Sequence, residues 1–528
     1  MKTDPSKTLD LAIIGGGING ASLAFLAARS GLSVALFEKD DWAQGTSSRS
    51  TKLIHGGIRY LEQVRLSLVR EALKDRRSLL ADAPHLVRPL PFLLPVYEGD
   101  ERPAWLLRIG LNIYDRLAGK KNLKPHEWLS PIDALLRAPG LKAEGLTGCG
   151  VYWDAQVNDA RMVLENVIGA RETGAYCVSD AEVVAASENP DGWQLTVRMP
   201  NGSSQNFSAR SVADATGPWA NKTSRFWNGK EEQKVRPTRG SHIVVPRVLT
   251  EYAVLVMAPK EKRILFVIPW RGCTLVGTTD IDDDGEPEKV HCSEEETEYL
   301  LCHASRLFPQ ADWSKSQVLA TFAGLRPLAW SGSKQASSVS REDKVSTQGR
   351  VVTIVGGKLT TYRSMARKAL KQVFLLLGRA GDPPPETRLP GAPFDPWDSF
   401  LDRARREWPT AYGISEETAL HLAQLYGNRA VPLLEPTRVR KDLAELLYIG
   451  RPEIAAQVPY AIQREDARHL DDILLRRLEI GFGPGRREAA EPASRLAAEI
   501  LGWNEPTRIA EVKRYLDQLD PPLSAQPA

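Results

Sequence analysis

A chain of 528 residues is longer than one small domain needs, so two or three domains are expected. Hydrophobic residues at 42% and charged residues at 26% place it among ordinary globular proteins. Lys+Arg 69 against Asp+Glu 66 leaves a formal charge of +3, too little for the positive field that a nucleic-acid partner needs.

The five cysteines, Cys149, Cys177, Cys273, Cys292 and Cys302, are scattered with no C-x-x-C, so neither zinc nor an iron–sulfur cluster has a signal and no metal site is expected. Free thiols in a reducing cytosol are the simplest reading. MKTDPSKTLD lacks the apolar core of a signal peptide. No apolar run approaches the ~18 residues of a membrane span. The chain is therefore expected not to cross a membrane, while lying on a membrane surface stays open. No internal repeat is visible, and the tail PPLSAQPA is expected to be disordered.

In chain order, Leu9–Ile14 is a short apolar run that suits a buried parallel strand. Gly15, Gly17 and Gly20 then form G-x-G-x-x-G, and the small-residue helix ASLAFLAARSG follows. A second apolar run over 33–37 ends at Glu38. Glycine turns alone are common, but strand, helix, strand and acid together make the dinucleotide fingerprint. The glycines allow a tight turn and close approach to a pyrophosphate, the helix N-terminus faces that anion, and the carboxylate accepts ribose hydroxyls. The fingerprint by itself does not separate NAD from FAD.

The next segment, SVALFEKDDWAQGTSSRSTKLIHGG, resembles the FAD-binding lead segment of the D-amino-acid-oxidase-like flavoproteins. That resemblance implies FAD, with Thr46, Ser47, Ser48 and Lys52 as pyrophosphate donors and the Gly56-Gly57 turn passing close to the flavin ring. The residue chemistry agrees, since short hydroxyls and a flexible ammonium suit an anion. A glycine pair lets backbone approach a flat ring where a Cβ would clash.

Further along, NDARMVLENVIGARETGA has helical spacing at Met162, Val163, Val167 and Ala170. An apolar strand ending in DATGPWA resembles the late strand of the same flavoproteins, with Gly217 near the cofactor. Residues 225–325 are rich in β-branched runs such as SHIVVPRV, RILFVIPW and TLVGTTD, and read as a mainly antiparallel sheet inserted into the FAD domain. The stretch 86–130 is expected to join that second domain. RVVTIVGGKLTTYRSMARKAL reads as strand, Gly-Gly turn and helix, with apolar positions at Met365, Ala369, Leu370, Val373 and Phe374. A helix start there would steady negative charge on a reduced flavin. After the Pro-rich stretch 379–385 the chain becomes helical, including REDARHLDDILLRRLEIG with Ala467, Leu470, Leu474 and Leu478 on one side.

Taken together, GGGINGA, TSSRSTKLIHGGIRYLE, RPAWLLRIGLNIYDRL, DATGPWA, GSHIVVP, FVIPW, VGTTD, GLRPL and GGKLTTYR resemble the FAD-dependent sn-glycerol-3-phosphate dehydrogenases of the aerobic bacterial type. The resemblance implies an α/β plus α+β fold. A Rossmann-like FAD domain would take residues 1–85, 145–224 and 326–385, an inserted mainly antiparallel substrate domain 86–144 and 225–325, and a C-terminal helical domain 386–520, leaving the tail 521–528. It implies oxidation of sn-glycerol 3-phosphate to dihydroxyacetone phosphate, with hydride passing from C2 to flavin N5 and electrons passing to membrane quinone. The alternatives are an oxidase using oxygen, or a flavin dehydrogenase for another hydroxy or amino acid.

Residues matching the motifs of that family are the candidates for the site. Arg59, Tyr60, Arg326, Lys358 and Thr361 are expected at the substrate. Gly357, Lys358, Leu359 and Thr360 are expected at the cofactor with the residues above. Arginine suits a phosphate because its fork makes two parallel charge-assisted hydrogen bonds. His242 and His55 are rival general bases, with Arg326 beside the reacting oxygen; Arg341 is a further phosphate candidate. The resemblance places the protein peripherally on the cytoplasmic side of the inner membrane, and otherwise in the cytoplasm, with a homodimer among its expected partners. Trp105, Leu106, Leu107, Ile109, Leu111 and Ile113, flanked by Arg108, Arg116, Lys120, Lys121 and Lys124, form either a membrane-contacting face or an ordinary core helix.

Overall fold

In the computed structural model, which describes residues 2–61, 65–119, 122–258, 263–330 and 344–519, strand Leu9–Ile14 lies inside an eight-stranded sheet. It pairs in parallel with Val34–Phe37 on one side and Ser204–Asp214 on the other. Val351–Val355 and Tyr176–Val178 extend the parallel part outward. A sheet covered on both faces needs apolar side chains on both, which explains why LDLAII and VALF read as continuous runs rather than alternating ones. Helix Ile18–Arg29 packs between helices Asp159–Glu172 and Tyr362–Leu376. Its alanines and glycine permit that close contact. Asn158 caps Asp159–Glu172 by accepting from Arg161 N–H at 3.0 Å.

The second sheet has ten strands and is mainly antiparallel. Val235–Pro246 pairs with both Cys273–Gly277 and Ala320–Ala329. Val87–Tyr97 pairs along Leu146–Val157, and also borders Ala253–Ala258 in the one parallel pairing among those described in this sheet. The expected edges of the inserted domain shift accordingly. Leu146–Val157 was expected with the FAD domain, yet its hydrogen bonds run to Val87–Tyr97, and Ala320–Ala329 carries the sheet past residue 326. The short strand Leu53–Ile54 joins the same sheet, so the loop after the first βαβ unit passes from one sheet to the other.

The C-terminal helices, from Trp397–Tyr412 to Glu505–Leu519, enclose their own core around Leu422, Leu425, Leu434, Ile473 and Tyr515. Ala467, Leu470, Leu474 and Leu478 are buried as the spacing predicts. The segment Asp472–Arg477, however, winds as a wider π-type turn rather than a regular helix. The wider turn lets both Arg476 and Arg477 reach Asp41, which follows the second strand of the first sheet. Trp42 Nε1–H adds a bond to Asp466 at 2.8 Å, and Arg161 grips Glu465 with two bonds at 3.0 and 2.7 Å.

Candidate active site

The fingerprint forms a cradle that side chains would fill. Gly15 adopts φ +106°, and a Cβ there would lie 2.6 Å from the Ala215 carbonyl oxygen. A Cβ on Gly20 would come within 1.9 Å of the Gly15 oxygen. Gly16 N–H donates to Glu38 Oε2 at 2.6 Å, and Asp40 N–H to Oε1 at 2.9 Å. Burial nonetheless pushes the Glu38 carboxyl up to about 7, against both backbone bonds. Ser47 Oγ accepts from Ile18 N–H at 2.9 Å and stands 3.1 Å from where a Gly17 Cβ would be, at the start of a helix with no acid in its first turn. A pyrophosphate suits that helix start and Ser47, and ribose hydroxyls suit Glu38 because donors favour its ionised form. These residues therefore fit FAD.

The hydroxyl-rich loop does more structural work than its composition suggests. Thr46 Oγ1 donates to Leu325 O at 2.5 Å, tying the loop to the second sheet. Lys52 differs from the expectation of a pyrophosphate donor. Its backbone is left-handed at φ +59°, and its ammonium is buried 2.6 Å from Asp159 Oδ1 and 2.7 Å from the carbonyl of Ser48. Glu479 of the C-terminal domain stands 4.0 Å away, and the rings of Phe322 and Trp270 enclose the charge. A buried ammonium needs a carboxylate partner, and Asp159 takes the role that an exposed loop lysine would give to an anionic ligand.

The turn His55–Gly57 is held from three directions. His55 N–H donates to Thr360 Oγ1 at 3.1 Å, and Gly56 N–H to Asp154 Oδ1 at 3.1 Å. Asp154, fully buried, also accepts from Tyr114 OH at 2.7 Å and from Arg76. A Cβ on Gly56 would meet Tyr114 OH at 2.2 Å and Leu73 Cδ2 at 2.5 Å, while Gly57 sits at φ +73° against the Tyr60 ring. The protein's own packing thus requires both glycines, a reason independent of any flavin ring. Lys358 Nζ lies 4.0 Å from the centroid of Tyr60, whose ring is buried. Gly357 at φ +86° turns the chain beside Met365, and Leu359–Thr361 makes a short 3-10 turn in which Thr361 N–H returns to Lys358 O at 3.1 Å.

A second group lies on the inserted sheet. His242 is buried, stacks on Phe322 with centroids 4.8 Å apart, and meets Thr51 Oγ1 at 2.9 Å through Nε2. Burial first, and then the charges of Arg326 and Lys52, hold its imidazolium form well below the ordinary histidine range. Arg326 donates to Asp280 at 3.0 Å, to Thr278 Oγ1 at 3.0 Å and to Thr279 O at 3.1 Å. Gly217, at φ +57°, opens the turn Gly217–Trp219 against Pro327. The candidates therefore fall into two groups. His55, Tyr60, Lys358, Thr360 and Thr361 form one, and His242 and Arg326 form the other. Thr46 and Thr51 tie the 46–52 loop to the second group's sheet, and the same chain runs on into the His55 turn of the first. The side chain of Arg59 and all of Arg341, Lys120, Lys121 and the tail lie outside the described residues.

Sequence reasoning missed Asp154, Asp159, Thr51 and Asp280. Asp154 carried a signal, an acid inside the apolar strand VYWDAQV, where burial demands a cationic or hydrogen-bonding partner.

A nucleotide cradle on a parallel sheet, joined by a glycine turn to an antiparallel sheet bearing a cation and a histidine, defines a flavin-dependent oxidoreductase. The family model described as FAD dependent oxidoreductase matches residues 10–357, and one described as the C-terminal domain of alpha-glycerophosphate oxidase matches 385–508. Glycerol-3-phosphate dehydrogenase of Pseudomonas aeruginosa is 38% identical over 491 residues, covering 90% of this chain and 93% of the relative. D-erythritol 1-phosphate dehydrogenase of Brucella abortus is 37% identical over 491 residues, covering 89% and 94%. The solved structure of glycerol-3-phosphate dehydrogenase from Bacillus halodurans complexed with FAD superposes with a TM-score of 0.81 at 26% identity, covering 98% of this chain and 95% of that one. The chain belongs to the FAD-dependent glycerol-3-phosphate dehydrogenase family, and its cofactor is FAD.

Proposed function

We propose that the chain oxidises the C2 hydroxyl of sn-glycerol 3-phosphate to dihydroxyacetone phosphate and passes the electrons to a quinone at a membrane surface. The observation that carries the reading is Lys358, a cation held over the Tyr60 ring beside the His55 turn. Bound FAD supplies the two-electron acceptor. Lys358 and Arg326 steady the phosphate dianion and the charge developing on the reacting oxygen, and Arg59 adds a further phosphate contact. His55 takes the hydroxyl proton in preference to His242. A proton on His242 would sit buried beside the positive charges of Arg326 and Lys52. His242 instead orients Thr51 and the loop that carries Ser47.

Helix Ala104–Ala118 supports the membrane reading. It buries Leu111 and Tyr114 while exposing Trp105, Leu106, Ile109 and Ile113. Among the described residues no helix is long and apolar enough to cross a membrane, so attachment would be peripheral, at the cytoplasmic face of the inner membrane. A longer polyol phosphate is the second reading, favoured by the relative named for D-erythritol 1-phosphate. The test is steady-state turnover with anionic lipid vesicles carrying quinone, run against dissolved oxygen with peroxide detection. Quinone reduction that Trp105→Ser with Ile109→Ser abolishes, while soluble-dye turnover persists, supports the proposal. Stoichiometric peroxide with no quinone reduction refutes the quinone route.

A further inference from the structure

Away from the candidate site, a cleft of about 790 Å3 opens between the second sheet and the C-terminal helices. Neither histidine of the active-site groups, nor Tyr60, Arg326 or Lys358, lines it. Four arginines, Arg88, Arg247, Arg271 and Arg451, line it. Arg271 donates to Glu479 at 2.9 Å and Arg451 to Glu453 at 2.8 Å, but Arg88 has no carboxylate partner among the described residues and donates to the neutral amide of Gln424. Of the other carboxylates lining the cleft, Glu251 is taken by Arg247, and Glu417 is exposed. His421 also lines the cleft. It is 7% exposed, and its Nε2 has no hydrogen-bond partner among the described residues.

A buried imidazole nitrogen without a hydrogen-bond partner, beside a guanidinium bonded only to a neutral amide and reached by Glu479 at longer range, is a costly arrangement unless a ligand completes it. We propose that this cleft is a second binding site, for a small phosphorylated molecule whose anionic group bridges Arg88 and His421. Arginine presents a planar fork to a phosphate, and a neutral imidazole supplies one further N–H. The aromatic walls of Trp153, Tyr252 and Trp270 give the remainder of such a molecule an apolar surface. The electrostatics agree with the geometry. Burial, with Arg271 next, pulls Arg88 down to about 10 against the pull of Glu479, and burial with Arg271, Arg451 and Arg88 pulls His421 down to about 3 against the opposing charge of Glu453. Glu479, the partner of Arg271, also stands 4.0 Å from Lys52, so the site adjoins the loop that holds the nucleotide cradle.

The test titrates inorganic pyrophosphate into the FAD-loaded enzyme by calorimetry, comparing wild type, Lys358→Met and Gln424→Glu. The substituted glutamate gives Arg88 a carboxylate at nearly unchanged volume. One binding equivalent is expected to survive Lys358→Met, and to weaken about tenfold or more in Gln424→Glu, whose own turnover in the absence of pyrophosphate is unchanged. If Gln424→Glu does not fold, Arg88→Gln carries the same expectation. Binding that vanishes in Lys358→Met belongs to the substrate site and overturns the proposal. Unchanged affinity in the cleft variants, or no heat at millimolar pyrophosphate, overturns it equally.

Discussion

Replacing Lys52 with methionine separates the two roles its position allows, a ligand for the cofactor or a buried strut. The ammonium and the Asp159 carboxylate are both essentially inaccessible and 2.6 Å apart. Methionine keeps most of the volume but leaves Asp159 with the Ser50 hydroxyl at 2.6 Å and the Ala160 N–H at 2.8 Å as its remaining short bonds. Stranding one member of a buried pair costs about 3–5 kcal/mol. For a domain of this size that lowers Tm by roughly 10 °C. Thermal unfolding followed by circular dichroism, on FAD-loaded and FAD-stripped protein, should show the drop in both forms. FAD affinity, read by flavin fluorescence, should change little at low temperature. Replacing Asp159 with leucine in the same protein should recover much of the loss, because an apolar pair of similar volume is close to neutral. Weakened FAD binding at unchanged Tm would refute the reasoning and return Lys52 to the pyrophosphate.

Other substitutions probe the remaining supports. Asp75 is buried, and desolvation pushes its carboxyl up to about 7 despite a 2.9 Å bond from Ser364. The native state then holds a proton that the unfolded chain has already lost, so stability should fall as pH rises from about 4 through about 7. The difference amounts to roughly 4 kcal/mol at about 1.4 kcal/mol per pH unit, and Asp75→Asn should flatten that slope in urea titrations. Gly56→Ala drives a methyl into Tyr114, which Asp154 holds in place, so a loss of about 1–3 kcal/mol and a lower kcat are expected. Asp41→Asn leaves Arg476 and Arg477 without their shared carboxylate, and limited proteolysis should then release the C-terminal helices faster than in wild type.

The parts of the fold that were legible are those whose causes lie close together in the chain. Gly15, Gly17, Gly20 and Glu38 are all contained in one βαβ unit, and the continuous apolar runs flanking them announce a sheet buried on both faces. The helix after GGKLTTYR was equally plain from its spacing, and Met365, Ala369, Leu370, Val373 and Phe374 are all buried. What stayed hidden depends on contacts distant in sequence. Lys52 was expected to donate to the pyrophosphate because its partner Asp159 lies across the fold. Gly56 and Gly57 were expected to make room for a flavin ring, whereas the structure packs them against Tyr114, Leu73 and Tyr60. The strand Leu146–Val157 changed sheets because Val87–Tyr97 offers a long antiparallel edge, which periodicity in one strand does not reveal. The wider turn at Asp472–Arg477 follows from Asp41, which a local helical pattern does not contain.

On the proposed function, FAD in this chain takes electrons from the secondary alcohol of a small phosphate ester. Anaerobic addition of sn-glycerol 3-phosphate to the FAD-loaded protein, with visible flavin absorbance as the readout, tests it directly. Bleaching is expected with one equivalent of dihydroxyacetone phosphate formed per flavin, none with glycerol, and strongly slowed bleaching in Lys358→Met. A flavin that stays oxidised with sn-glycerol 3-phosphate while an amino acid bleaches it would rule out the phosphate ester as the electron donor.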